Sequence, residues 1–160
     1  VVQRAWDHNV PSYLFDGGQL MKGAVLQELE TFHIDLVVLA GFLRLLPTEL
    51  VRAYPDRILN IHPALLPKYG GTGMFGDRVH EAVIAAGEKE SGITIHLVNE
   101  RYDEGRVLFQ QKCAVLPDDD ASSLAERVHE LEHAHYPTVV EEQVDILLEG
   151  PKRHPVKGPG

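Results

Sequence analysis

The 160 residues are 44% hydrophobic with no low-complexity segment, enough to bury a sizeable core in one domain. Acidic residues outnumber basic ones 24 to 15 for a net charge of −9; with no Lys/Arg stripe, this argues against binding a nucleic-acid backbone. Apolar runs such as 36–42 are far too short to span a bilayer, Cys113 has no partner for an internal disulfide, and no signal-peptide pattern opens the chain, so the sequence reads as soluble and cytoplasmic.

In chain order, the first fifteen residues read as the end of a helix running into a short strand at 12–15. Residues 22–32 carry Val25, Leu26 and Leu29 at helical spacing, and the apolar run 34–40 follows as a buried strand. Pro47 opens a short helix through Ala53, because proline is tolerated at the first helical position. A strand at 57–60 comes next. Helix alternating with buried strand predicts a mostly parallel sheet covered on both faces.

After a glycine-rich loop, residues 77–86 place Val79, Val83 and Ala86 on one helical face. From Ser91 the period drops to two: Ile93, Ile95 and Leu97 alternate with Thr94, His96 and Val98. A second long strand spans 106–116, so the pair is expected to be antiparallel at the end of the sheet. Asp118 to Asp120 offer N-caps for a helix to about His135, with Leu124, Val128 and Leu131 as its buried stripe. Pro137 starts a last helix through Leu148. The tail 150–160, with three prolines and three glycines, reads as disordered.

The stretch with the most chemistry is Asn60-Ile61-His62-Pro63-Ala64-Leu65-Leu66-Pro67-Lys68. At the end of a buried strand the polarity changes to an amide, an imidazole and two prolines. Residues two apart on an extended chain point the same way, so Asn60 and His62 aim at one small volume. Pro63 holds His62 extended and Pro67 stiffens the far end of the loop. The same two side chains also suit a plainer task, satisfying loop backbone groups.

Three further constellations bear on function. Gly71-Thr72-Gly73-Met74-Phe75-Gly76 matches G-x-G-x-x-G, but a proline-bounded loop separates it from the preceding strand, where a dinucleotide turn needs to sit. It reads instead as a flexible loop opening into a helix, a lid whose helix N-terminus suits an anion. His129-Glu130-Leu131-Glu132-His133 spells the zinc-protease pattern, yet a third ligand is found only at His135, at acidic residues of the last helix or at His154; the competing reading is a solvated helix strip. Asn99-Glu100-Arg101-Tyr102-Asp103-Glu104-Gly105 is an acidic turn, and Asp103 is a carboxylate able to orient His62 and raise its pKa. Asn60, His62 and Asp103 together suit oxyanion stabilisation and proton transfer in acyl transfer, with the acceptor amine as nucleophile.

At these residues the chain resembles the folate-dependent formyltransferases. The resemblance rests on Val37-Val38-Leu39-Ala40-Gly41-Phe42-Leu43-Arg44, on Asn60 to Tyr69, on Gly92-Ile93-Thr94-Ile95-His96 with Asp103-Glu104-Gly105, and on Glu132-His133-Ala134-His135-Tyr136-Pro137, and it covers about 1–149 as one domain. Within the family, the wording is most similar to the purine-synthesis branch. What the resemblance implies is a Rossmann-like α/β fold and formyl transfer from 10-formyltetrahydrofolate to the amine of glycinamide ribonucleotide, without a metal. It also implies Asn60, His62 and Asp103 as the catalytic set. The folate would meet Leu43, Arg44, Leu45, Leu46, Asn60, Asn99, Glu100, Arg101, Tyr102 and Asp103; the ribonucleotide would meet His129, Glu130, Leu131 and Glu132. The alternatives are another formyltransferase or a deformylase using the same folate, or a folate-binding fragment without activity.

Three departures from the family pattern stand out. The family begins with a strand and a glycine-rich phosphate loop that have no counterpart here, so the first β-α-β unit is expected to be missing. Gly17-Gly18-Gln19 stand where the family usually has an arginine. The segment 70–79 is longer and richer in glycine than the common version.

Overall fold

A computed structural model describes residues 2–150, to which every structural statement below refers. In chain order they form α1 (Val2–Asp7), α2 (Gly17–Met21), α3 (Ala24–Thr31), β1 (Val37–Leu39), α4 (Thr48–Ala53), β2 (Ile58–His62), α5 (Asp77–Ala85), β3 (Glu90–Leu97), β4 (Val107–Ala114) and α6 (Ala121–Glu149). The expectation for 151–160 lies outside the described residues.

The sheet has the order β1-β2-β3-β4. β1 pairs parallel with β2, the crossover being made through α4, whereas β2 with β3 and β3 with β4 run antiparallel. The sheet is therefore mixed, with a smaller parallel share than the helix-strand alternation suggested. Side chains on consecutive strand residues face opposite ways, and β2 uses this to build two cores. Ile58 packs with Leu20, Leu46, Leu50, Val51 and Tyr54, under Val25, Leu26 and Leu29 of α3. Leu59 packs on the other side with Ile95, Leu97 and Val139. Beside it, Val83 of α5 and Ile93 meet Leu124 and Val128 of α6. Helices thus cover both faces, as the alternating pattern predicts.

Several boundaries differ from the sequence expectations. Residues 10–16 are irregular and not a strand: Tyr13 packs its ring against Phe15 and Phe32, and no sheet strand lies before β1. α2 is hidden in the sequence by its two glycines, poor helix formers. It forms because Asp16 accepts from the Gln19 amide while the Gln19 side chain accepts from the Asp16 amide, a complete capping box. The strand expected at 34–40 shrinks to three residues, because Asp35 turns out to pair with Arg57 and Gly41 ends it at φ +65°.

Pro137 lies inside α6, so the two helices expected there are one. A proline in a helix interior removes one hydrogen bond and crowds the preceding turn, at a cost of roughly 3 kcal/mol. Anchors on both sides offset it: Val139 is buried, and the Tyr136 hydroxyl donates to the carbonyls of Leu39 at 2.7 Å and Leu59 at 3.3 Å. The start of α6 follows the expectation, with Asp120 and Ser123 forming its capping box.

Candidate active site

The antiparallel register of β2 and β3 sets Asn60 opposite His96 and His62 opposite Thr94, so four polar side chains share one face of the sheet. Beyond the end of β3, the turn 99–105 folds back over them. Gly105 is required there: a Cβ at this position would collide with the Leu97 carbonyl oxygen. The turn carries Asp103, held at φ +53°, a conformation that aspartate tolerates better than most residues.

Asp103 lies between two imidazoles. Its Oδ2 is 3.6 Å from His62 Nδ1 and its Oδ1 is 3.6 Å from His96 Nε2, while the Gly71 amide donates to Oδ2 at 2.9 Å. The tautomers follow from the partners. His62 Nε2 sits 2.7 Å from the Tyr69 carbonyl; a carbonyl can only accept, so Nε2 carries hydrogen and Nδ1 is the nitrogen that gains or loses a proton. By the same rule His96 donates from Nδ1 to the Leu97 carbonyl at 3.0 Å. Its Nε2 lies 3.3 Å from Asn60 Nδ2 and accepts from it whenever that nitrogen carries no proton. This fixes the orientation of the Asn60 amide and leaves its second N–H for a ligand.

Burial opposes charge on Asp103, but the contact with His96, the Gly71 amide and the His62 ring outweigh it and hold the carboxyl below its usual range. For His62 the balance goes the other way. Its ring is only 4% exposed, and burial lowers its pKa from 6.5 against the upward pull of Asp103 and the Tyr69 carbonyl, with His96 adding a further downward push. The expectation that Asp103 raises His62 above its ordinary value is thereby corrected: the carboxylate does push up, and desolvation wins.

A stability prediction follows. His80 is also lowered, first by burial and then by His129 and His62, with Asp77 opposing. Two histidines that take up protons more readily unfolded than folded make the unfolded chain bind more protons as pH falls through about 6.5, the ordinary histidine value, so stability rises with pH there. The melting temperature is expected to be flat above roughly pH 7 and to drop towards pH 5. His80→Leu should flatten the slope in a calorimetric series; an unchanged slope would remove His80 from this account.

Asn60, His62, His96 and Asp103 open onto a cavity of about 220 Å³. Leu39, Phe42, Leu43, Leu46 and Val98 give it an apolar wall, and Arg44, Leu45, Asn99, Arg101, Tyr102, His80, His129 and Glu132 also line it. Of the residues singled out from sequence, Glu100, Glu130 and Leu131 do not line the cavity. Glu100 turns outward to Arg52 at 2.8 Å. On α6 each residue turns about 100° from the last, so His129 and Glu132 share the cavity face while Glu130 is exposed and Leu131 packs into the core beside Val128. Burial raises the Glu132 pKa, with His129 and His133 opposing.

The glycine-rich segment borders the same cavity through Gly71, Gly73, Met74, Phe75 and Gly76, its Gly71 amide committed to Asp103. Among the described residues no three His, Cys, Asp or Glu side chains are placed to hold a metal ion; His133 is exposed and His135 packs its ring, tilted, against Phe109. Sequence reasoning assigned no role to His96, His80 or the Tyr69 carbonyl. The alternation around Ile93, Thr94, Ile95 and His96 was the available signal for His96; a backbone carbonyl leaves none.

Comparison with known proteins bears on this geometry. The model of the family described as formyl transferase matches residues 3–140. The chain is 50% identical over 121 residues to the chloroplastic phosphoribosylglycinamide formyltransferase of Arabidopsis thaliana, covering 76% of this chain and 41% of that protein. To the phosphoribosylglycinamide formyltransferase of Bacillus subtilis (strain 168) it is 32% identical over 157 residues, covering 95% and 78%. The crystal structure of phosphoribosylglycinamide formyltransferase from Streptococcus pneumoniae TIGR4 matches with a TM-score of 0.80 at 36% identity, over 89% of this chain and 79% of that one. This chain spans less than half the length of the plant relative. A family match running from α1 into α6, across every residue of the polar cluster, shows that the chain belongs to the formyl transferase family.

Proposed function

We propose that the chain transfers a formyl group from 10-formyltetrahydrofolate to the glycyl amine of glycinamide ribonucleotide, with residues 1–149 acting as one formyltransferase domain. The observation that carries this reading is the convergence of Asn60, His62 and Asp103 beside the apolar wall of the cavity. An apolar wall beside three polar groups fits a flat heterocycle that presents a reactive acyl group. Leu43 to Leu46, Asn99 and Arg101 to Asp103 would hold the folate, which supplies a formyl group activated on nitrogen. Glu132 and His129 would meet the ribonucleotide. The lone Cys113 suits a reducing compartment such as the cytoplasm.

The chain's own groups then have distinct tasks. As the amine adds to the formyl carbon, negative charge develops on the formyl oxygen, and the free N–H of Asn60 donates to it. His62, neutral at pH 7 through its lowered pKa, takes the amine's surplus proton at Nδ1. The resulting imidazolium is stabilised by ionised Asp103 at 3.6 Å and returns the proton to the departing nitrogen. His96 keeps Asn60 in the donating orientation.

The test combines binding with turnover. Calorimetry should show a non-reactive 10-formyltetrahydrofolate analogue binding at one site, with Leu46→Asp abolishing it. In a formyl-transfer assay, consumption of the folate should depend on the ribonucleotide. Formate release at the same rate without the amine acceptor would reassign the site to hydrolysis, and absence of folate binding would overturn the reading.

A further inference from the structure

Tyr69 has two ends with different tasks. Its carbonyl accepts from His62 Nε2 at 2.7 Å, which sets the tautomer of the central imidazole. Its hydroxyl donates to Glu88 Oε1 at 3.0 Å, and the neighbouring Lys68 donates to the same oxygen at 2.8 Å. Glu88 lies between α5 and β3 and does not line the cavity of the candidate active site.

Tyr69 needs this fastening. It sits at φ +57°, a left-handed conformation that residues other than glycine rarely adopt. Its ring packs against the core cluster of Val83 and Ile93, while a second cavity of about 330 Å³ bordered by Leu65, Pro67, Lys68 and Glu88 lies on its outer side, so at that end Glu88 is what holds the hydroxyl. Released from Glu88, the residue would relax to negative φ, its peptide would rotate, and His62 would lose the acceptor that keeps the proton on Nε2. Nδ1 would then no longer be reserved for proton exchange beside Asp103.

We propose that Glu88 is a positioning residue for His62, acting through the hydroxyl and backbone of Tyr69. The inference rests on the formyl-transfer reading for its catalytic consequence, while its structural core concerns the tautomer of one ring. Glu88 orders residues 68 and 69; Tyr69 presents its carbonyl; the carbonyl fixes which nitrogen of His62 works.

The experiment measures side-chain ¹⁵N spectra of His62, assigned by their loss in His62→Gln, together with formyl-transfer kinetics for the whole chain. The variants are Tyr69→Phe, Glu88→Ala and Glu88→Gln, with Lys112→Ala as control because Lys112 pairs with Glu90 on the same rim without touching the loop. Wild type should show hydrogen on Nε2. Tyr69→Phe and Glu88→Ala should give a mixture of tautomers and lower kcat about tenfold, with KM for both substrates within about twofold, as expected for misplacement of a reacting group. Glu88→Gln keeps an acceptor for the Tyr69 hydroxyl and should restore both readouts, and Lys112→Ala should change neither. Unchanged His62 spectra in Tyr69→Phe and Glu88→Ala would overturn the proposal whatever happens to the melting temperature, as would unchanged kcat in an active chain. If wild type transfers no formyl group but the spectra respond as described, positioning by Glu88 stands and the formyl-transfer reading falls.

Discussion

His62→Ala is expected to lower turnover about 10²- to 10³-fold, as for loss of a general base, while folate binding stays within about twofold. Asn60→Ala should do the same by removing the one amide N–H that His96 leaves free. The pattern of lost kcat with unchanged binding matters because it marks interactions made only as charge develops. Asp103→Asn tests the electrostatics. It removes the negative charge 3.6 Å from Nδ1, so a His62 pKa already lowered by burial should fall further, and the acid limb of the rate profile should move to lower pH. The imidazolium formed in turnover also loses its counter-charge, so the plateau rate should drop. If His62→Ala left turnover near normal and only lowered the melting temperature, the two polar side chains would be loop braces and the catalytic assignment would fail.

Which parts of this arrangement were legible in the sequence depended on how far apart its determinants lie. Asn60 and His62 could be paired from sequence because period two is a local property of an extended chain. Asp103 was reachable as a carboxylate in a turn, but its place beside His62 depends on β3 returning antiparallel to β2, which no local pattern specifies. His96 stood out as a polar residue in an apolar alternation, whereas its bond to Asn60 follows from register alone. The Tyr69 carbonyl and the Gly71 amide are backbone groups, invisible in any list of side chains. The direction of the His62 shift was misjudged because charge partners can be inferred from a sequence and degree of burial cannot. For the fold, the apolar stripe of α6 and the buried face of β3 read correctly, as did Val79 and Val83 of α5, whereas Ala86 caps that helix and is exposed. Pro137 and the glycines of α2 misled because tertiary anchors and a capping box overrode local propensity.

Thr94→Val is the substitution expected to cost the most stability for the smallest change in shape. Thr94 is fully buried, and its hydroxyl has every hydrogen-bonding site in use: it donates to the Ala64 carbonyl at 2.6 Å and accepts from the Leu66 amide at 3.0 Å and from Gln110 Nε2 at 2.8 Å. Gln110 keeps a second partner in the Leu66 carbonyl at 2.9 Å, but the Ala64 carbonyl and the Leu66 amide have no other partner there. Valine matches the volume and strands these groups away from water, at about 1–3 kcal/mol for each buried group left unpaired. Allowing for relaxation, a loss of about 2–4 kcal/mol is expected, which for a chain of this size lowers the melting temperature by roughly 4–16 °C. Thr94→Ser keeps all three bonds and loses one methyl, so it should cost only about 1 kcal/mol. The two groups freed by valine lie two and four residues past His62, so turnover should fall with stability in Thr94→Val and recover in Thr94→Ser. A valine variant melting within about 1 °C of the wild type would show that the loop after β2 is held by its prolines and apolar contacts and not by this hydroxyl.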